Sequence, residues 1–180
     1  WEALTESARA AYAKGTHAEK RLLWELTRYL ESLMTSQKQD SNWVFVVSLG
    51  AGSPDGATIS WIDIVRTKSV YFHPAEKGWP VVPPNYIAFR YYGKLQSIHH
   101  VESYKIVNDL HEHIPEMARD EMRRPRFLYN LGKGFAPSHD VPTGNIYPSG
   151  RVWCMLDTLF TSLTIAQARD ISKRREEQLR

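Results

Sequence analysis

The sequence predicts an α+β protein: a small, twisted, barrel-like and mostly antiparallel sheet, with helices at both ends of the chain. Helical patterns lie near the two termini, and β-forming segments lie between them. Segments separated in this way are typical of α+β folds. The regular strand–helix–strand alternation of a parallel nucleotide-binding sheet is absent, so a doubly wound fold is not expected.

The first 36 residues are predicted to be helical. Several alanines favour helix before Gly15. Thr16 and Glu19 then fit a capping box, in which each side chain bonds to the backbone N–H of the other residue. Apolar residues follow at helical spacing: Leu22, Leu26, Tyr29, Leu30 and Leu33. We expect this helix to end near Met34, within an N-terminal helical segment at residues 1–36.

Residues 43–131 are predicted to form the sheet domain. Four segments are rich in β-forming residues: 43–47, 59–72, 86–106 and 126–131. The segment at 86–106 predicts a β-hairpin, because two β-forming runs flank a polar turn at Gly93–Lys94. The segment at 59–72 predicts one strand or a strand pair. Loops rich in glycine or proline separate these segments.

The last 30 residues, 151–180, are predicted to form helices that pack on the sheet or extend from it. Apolar side chains recur there at helical spacing: Val152, Met155, Leu156, Leu159, Phe160 and Leu163. Thr164 and Gln167 fit a second capping box. The apolar stripe of the last helix fades toward its charged end, so we expect that end to be solvated.

Composition narrows the class of protein. The chain has 180 residues, 42% of them apolar, which suits one domain with a packed core. A net charge of +3 permits an anionic partner without requiring one. Cys154 is the single cysteine, so a disulfide within the chain is excluded and a cytoplasmic location is expected. No run approaches the roughly 18 apolar residues of a membrane span. Because the chain begins at Trp1 rather than Met, we expect further domains or subunits as partners.

Most patterns that could carry chemistry are better explained as ordinary structure. The glycine-rich segments 50–53 and 132–134 lack the spacing of phosphate-binding loops. His111 and His113 could share an ion with a nearby glutamate, but a solvated loop explains them better. Cys154 lies in an apolar segment, which predicts core packing. We therefore predict no metal, no cofactor and no catalytic residue, and a binding module is favoured over an enzyme.

Two alternatives remain open. Asp63, Glu102 and Lys105 loosely match the carboxylate and lysine set of a metal-dependent nuclease of the restriction type. The match is defective, because the spacing of Glu102 and Lys105 would direct them to opposite faces of a strand. The other alternative is a protein-interaction scaffold, in which the terminal helices join partner subunits.

Interleaved aromatic and basic residues favour nucleic-acid binding. They occur along the central segments: Trp61, Arg66, Lys68, Tyr71, Trp79, Arg90, Tyr91, Tyr92 and Lys94. A second basic cluster follows: Arg119, Arg123, Arg124 and Arg126. Aromatic faces stack on bases while arginine and lysine neutralise phosphates. The sequence therefore predicts DNA or RNA as the partner.

The segment from Trp43 to Leu131 resembles the PUA-like superfamily, especially its EVE-type readers of modified bases. The resemblance lies in the first strand at 43–47, the long aromatic loop after it, and the hairpin strands at 86–91 and 98–102. It implies a small, partly closed β-barrel with helices at its ends. It also implies binding of RNA or a modified DNA base, in a restriction, anti-phage or nucleic-acid processing protein.

The resemblance also implies where a base would bind. Its candidate pocket residues are Trp61, Trp79, Tyr91, Tyr92 and Ser97. We expect a base to stack on Trp61 or Trp79. Its polar edge would meet Ser97 and Asn85, and its phosphate would meet Arg90 and Lys94.

Overall fold

The computed structural model of this chain describes residues 16–25, 41–119 and 122–178. Backbone contacts divide the chain into two units, with the boundary between Ser41 and Asn42. In the first unit, residues 17–25 are helical. The Thr16 N–H donates to Glu19 Oε2 at 2.7 Å and the Glu19 N–H donates to Thr16 Oγ1 at 3.4 Å, which confirms the capping box. The other predicted N-terminal helical residues, 1–13 and 26–34, lie outside the described residues.

The second unit is a six-stranded sheet with helices. Its elements in chain order are β1 (Trp43–Ser48), α1 (Trp61–Lys68), β2 (Val70–Pro74), β3 (Tyr86–Tyr91), β4 (Lys94–Val107), β5 (Arg126–Leu131), β6 (Val152–Met155), α2 (Leu156–Thr161) and α3 (Ile165–Gln178). The strand order is β2-β5-β4-β3-β1-β6. Only β1 and β3 pair in parallel, and the other neighbours are antiparallel. The predicted α+β class with a mostly antiparallel sheet is confirmed.

The sheet curls strongly. Four strand spacings separate β1 from β2, which in a flat sheet would be about 19 Å. The rings of Phe45 in β1 and His73 in β2 are nevertheless only 6.3 Å apart. The curl occurs along β4, which pairs with β3 through its first half and with β5 through its second half. An extra residue, Glu102, forms a bulge between the two halves, and bulges bend and twist strands.

Three apolar cores result from this curl. The inner core fills the concave face with residues of several strands and α1: Phe45, Val47, Ile62, Val65, Tyr71, Ile87, Phe89, Phe127 and Tyr129. The outer faces of β1 and β3 pack on the C-terminal helices through Val44, Val46, Ala88, Leu159 and Ile165. The outer faces of β2 and β5 are covered through Phe72, Leu128, Leu110, Ile114 and Met117. Loops and helices thereby surround an open end of the curled sheet.

The strand prediction at 59–72 is wrong for its first part, where the chain forms α1. The Ser60 hydroxyl accepts the Asp63 N–H at 3.0 Å and so caps the helix. Ile62 and Val65 are buried in the inner core, whereas Ile64 is buried in the core behind β2 and β5. In a strand, Ile62 and Ile64 would lie on the same face, so this burial pattern requires a helix. The cap pattern Ser-x-x-Asp was the available signal. Only Val70–Pro74 is a strand.

The helix prediction from Val152 onward is wrong for its first four residues, which form β6. This edge strand pairs with β1, so that Val44 lies opposite Cys154 and Phe45 opposite Trp153. Cys154 faces the C-terminal helices, whereas the Trp153 ring lies 5.0 Å from that of Phe45. Four residues are too few to separate the strand period from the helix period. Helix α2 begins only at Leu156.

The other central strands agree with the prediction. β1, β3 and β5 lie where the sequence places them, and the hairpin of β3 and β4 is present. Its turn is shifted by one residue: Tyr91 pairs with Lys94, so that Tyr92 and Gly93 form the two-residue connection. Both turn residues have positive φ, 53° and 77°, as a type I′ turn requires.

Two expectations from composition concern Cys154 and membranes. Cys154 is buried in the core beneath the C-terminal helices, and burial raises the pKa of its thiol to about 12. This confirms a packing role, since the reactive form of cysteine is the thiolate.

Within the described ranges, no helix has the length and apolar character needed to cross a membrane.

Candidate nucleic-acid interface

A cavity of about 990 Å³ opens at the end of the curled sheet. Its floor comes from the end of β1 and from β2, and loops supply its rim. The residues that could act on a ligand are Asp55, Trp61, Tyr71, Trp79, Arg119, Arg126, Ser149 and Arg151. We call this space the Trp61–Trp79 cavity. Its volume lies at the upper end of the range usual for small-ligand sites.

Trp61 forms one wall of the cavity. It is the first residue of α1, and its backbone N–H donates to Gly52 O at 3.1 Å. Its ring lies 5.4 Å from that of Phe72, with 38° between the planes. The side chain is only half-buried, because α1 begins at the cavity edge. Trp61 is thus held by packing yet keeps exposed aromatic surface.

Trp79 also lines the cavity, and its ring already has two planar partners. Its ring stacks on His73, with centroids 4.9 Å apart and 9° between the planes. The Arg151 guanidinium carbon lies 3.8 Å from the Trp79 ring centroid, which is cation–π geometry. Arg151 is exposed, so it covers the indole from the solvent side of the protein.

A buried hydrogen-bond chain fixes His73 beneath Trp79. The Pro74 carbonyl lies 2.8 Å from His73 Nδ1, and the Tyr129 hydroxyl lies 2.8 Å from His73 Nε2. Because a carbonyl can only accept, Nδ1 carries the proton and Nε2 accepts from Tyr129. Burial lowers the pKa of His73, and the nearby Arg151 charge lowers it further. The stacking platform under Trp79 is therefore a neutral imidazole.

The lining is cationic. Three arginines, Arg119, Arg126 and Arg151, lie around the cavity against one carboxylate, Asp55. Beneath them, burial raises the pKa of Tyr71, so this phenol stays neutral. Arginine presents a planar donor fork that suits phosphate oxygens. The cavity can accordingly attract an anionic ligand that carries a flat ring.

Arg90 was expected to bind phosphate, but its side chain is buried and bonds to a loop of the protein. Its side chain is 4% exposed, and its Nη2 donates to the carbonyls of Tyr147, Pro148 and Gly150 at 2.8–2.9 Å. Pro148 and Ser149 line the cavity. Arg90 thus positions the loop that forms one cavity wall, because its Nη2 group bonds to three carbonyls of that loop.

The structure does not bring the other predicted residues into the cavity lining. Tyr91 and Tyr92 stack edge to face at 5.2 Å at the hairpin turn. Lys94 pairs with Asp140 at 2.8 Å. The Ser97 hydroxyl lies 2.9 Å from His99 Nε2, inside the curled sheet. The fifth residue, Asn85, precedes β3, where its carbonyl accepts the Val101 N–H at 2.8 Å.

The nuclease residues do not assemble into a site. Asp63 bonds to Ser60 at 2.6 Å at the start of α1. Lys105 Nζ lies 3.2 Å from His113 Nδ1, whereas Glu102 occupies the bulge in β4. In the part of the chain that the structure describes, no three histidine, cysteine or acidic groups lie together as metal ligands would.

His111 and His113 also do not act as a pair. His111 Nδ1 donates to the Met117 carbonyl at 2.7 Å, which ties it to its own loop. His113 instead lies beside Lys105, a cation that would oppose a bound metal ion. The interpretation of this segment as ordinary loop structure is the better one.

Sequence reasoning missed Arg151, His73, Tyr71 and Ser149 as parts of one site. Tyr71 appeared in the interleaved aromatic pattern, and Arg119 and Arg126 appeared in the second basic cluster, so those signals existed. Arg151 stands alone at the start of β6, and no local pattern connects it with Trp79. Only the pairing of β6 with β1 brings it there.

Comparison with known proteins gives one structural match. No family model matches the chain, and no curated protein matches it. The crystal structure of a ZmASCH mutant protein from Zymomonas mobilis aligns with 50% of this chain and 68% of its own, at 18% identity and a TM-score of 0.32. At this TM-score the match says nothing about what this chain binds, and the EVE-type resemblance stays a prediction.

Proposed function

We propose that this chain binds single-stranded or locally unpaired nucleic acid by taking a base into the Trp61–Trp79 cavity. The observation that supports this proposal is the joint placement of two tryptophans and three arginines around one cavity. Indole faces stack on bases of any sequence, and arginines neutralise the linked phosphates. The role is binding, with no catalytic step assigned.

The residues have separate tasks in this proposal. Trp61 and Trp79 supply the stacking walls. Asp55 and Ser149 lie in the lining, where a carboxylate accepts from an exocyclic amine and a hydroxyl bonds to either base edge. Arg119 and Arg126 hold phosphate. A base on the solvent side of Trp79 displaces Arg151, which is exposed and can turn toward the backbone.

The finer points of the sequence prediction belong to the same proposal. DNA and RNA share the base and phosphate chemistry that this cavity recognises, and a modified base is a further option. PUA-like domains are generally associated with RNA binding. The proposal depends on the cavity and not on that association. None of the comparisons supports a restriction or anti-phage setting, so that setting and the scaffold alternative stay predictions.

Replacing an indole tests the stacking walls. We expect Trp61→Leu or Trp79→Leu to weaken binding of a fluorescent single-stranded oligonucleotide about 5- to 150-fold, since one stacked base contributes about 1–3 kcal/mol. Leucine keeps an apolar side chain and removes the aromatic face. Circular dichroism and urea unfolding show whether each variant is folded. Unchanged affinity in both folded variants would refute the proposal.

The phosphate contact is tested through salt. For a single strand, each phosphate contact contributes about 0.7 to the slope of log affinity against log salt. We expect Arg119→Ala to reduce the slope by about this amount. Arg174→Ala is the matched control, because it removes an equal charge from an exposed position on α3. Equal slopes for both variants would exclude a phosphate contact at Arg119.

A further inference from the structure

A second cavity lies directly beside the Trp61–Trp79 cavity. Its volume is about 370 Å³, and it is lined by Phe45, Gly78, Pro80, Gly150 and Trp153 together with three residues that also line the first cavity. The shared residues are Trp79, Ser149 and Arg151. A single indole with its stacked guanidinium thus lies at the boundary of both spaces.

The chemistry of the second cavity suits a flat, uncharged ring. Trp153 on the edge strand β6 is 40% exposed and lies 5.0 Å from Phe45, so it offers an aromatic surface supported by the inner core. Two glycines contribute lining without side chains. Arg151 is the one charged residue among those that line this cavity. Its volume falls within the range of small-ligand sites.

We propose that the second cavity receives the base next to the one in the Trp61–Trp79 cavity. The bound unit is then a dinucleotide step, with one base in the Trp61–Trp79 cavity, where it displaces Arg151 from the Trp79 ring, and the next base against Trp153 in the second cavity. Arg151 lines both cavities and is the only cation common to the two linings, so once displaced from the Trp79 ring it can bind the phosphate that links the two bases. This inference rests on the proposed function and adds to it the length of strand that the protein recognises.

Dinucleotides with one base removed provide the test. The ligands are a 5′-phosphorylated dinucleotide and its two forms in which either sugar lacks its base, all with the same number of phosphates. If each cavity holds a base, loss of either base weakens binding, by about 5- to 150-fold per stacked base. If one cavity alone holds a base, the remaining base occupies it and both abasic forms bind nearly as well as the parent.

Two variants assign the effect to the second cavity. We expect Trp153→Ala to bind the parent and the abasic ligands equally, whereas Phe160→Ala keeps the wild-type difference. The exposed fraction of Phe160, 38%, is similar to the 40% of Trp153, and Phe160 does not line either cavity. Pro80→Glu places a carboxylate in the lining of the second cavity while keeping both Trp153 and Phe45, and it should act like Trp153→Ala.

The outcomes separate the two proposals. Abasic ligands that bind the wild type as well as the parent would overturn the dinucleotide inference, while sensitivity of that binding to Trp79→Leu would leave the proposed function intact. If Trp153→Ala and Pro80→Glu both still bind the parent dinucleotide more tightly than its abasic forms, the inference is also overturned. Absence of binding by all three ligands and by longer oligonucleotides would refute the proposed function and the inference with it.

Discussion

Arg90 links a buried strand to the wall of the cavity. Among the described residues its guanidinium donates to no carboxylate, and Nη2 instead donates to three carbonyls of the 147–150 loop. Burial lowers its pKa, although arginine keeps its charge in proteins. Hydrogen bonds from a charged donor are stronger than neutral ones. The shape of the loop beside Ser149 therefore depends on this one side chain.

Removing the Arg90 guanidinium should destabilise the protein. Arg90→Met leaves three carbonyls of a partly buried loop without their donor, and we expect the free energy of unfolding to fall by about 2–3 kcal/mol. Urea unfolding measures the change. Lys94→Met is the control, since Lys94 pairs with Asp140 at the surface and such pairs contribute less than about 1 kcal/mol. Similar losses in both variants would contradict the structural role of Arg90.

The buried imidazole of His73 makes stability depend on pH. Its pKa is lowered in the folded protein, chiefly by burial, so the unfolded chain takes up the proton first as the pH falls. The contribution of His73 is fully present above its unfolded pKa, near 6.5, and is lost as the pH falls below that value toward the lowered pKa. We expect a lower urea midpoint at pH 5.5 than at pH 7.5.

The matching variants are His73→Gln and His113→Gln. The first should reduce the difference in urea midpoint between the two pH values, because it removes the buried titrating group. The second replaces an exposed histidine and should leave that difference unchanged. An identical pH dependence in wild type and His73→Gln would show that His73 does not carry the effect.

At the scale of elements, the β3–β4 hairpin contains a strained turn. Tyr92 adopts a φ of 53° at the first position of the type I′ connection, and this left-handed conformation costs roughly 1–2 kcal/mol for most residues. Asparagine before glycine is the preferred pair in such turns. We expect Tyr92→Asn to raise the free energy of unfolding by about 1 kcal/mol, measured by urea unfolding.

Tyr147→Asn is the control for this turn variant. Tyr92 and Tyr147 are 76% and 77% exposed, so both substitutions remove a similar aromatic surface from solvent. The φ of Tyr147 is not positive. A gain in stability of the same size at both positions would indicate a general effect of removing exposed tyrosine, and not relief of turn strain.

The elements also show where local patterns suffice. β1, β3 and β5 were predicted because their apolar runs are short and rich in β-forming residues, which favours a strand over a helix. α1 was missed because Ile62, Ile64 and Val65 include an alternating pair that imitates a strand. In the fold α1 buries one face in the inner core and another in the core that covers the outer faces of β2 and β5.

At the scale of the whole molecule, the curl of the sheet creates the candidate site. β2 and β1 are separated by three other strands, yet they approach each other across the inner core. This approach places Tyr71 and Phe72 of β2 beside the end of β1 at one cavity floor. Strand pairing of β6 with β1 then brings Arg151 to Trp79. A flatter sheet would keep these residues apart.

The sequence by itself determined the α+β class, the main strands, the hairpin and the packing role of Cys154, and it predicted a binding role for Trp61 and Trp79, which line one cavity. These follow from composition and from periods that span a few residues. The tertiary structure decided which residues accompany the tryptophans: Arg119, Arg126 and Arg151 line the cavity, whereas Arg90 is turned inward and Lys94 pairs elsewhere. The physical reason is that contacts across the cavity depend on the bulge in β4 and on pairings between distant strands, and neither leaves a local pattern in the chain.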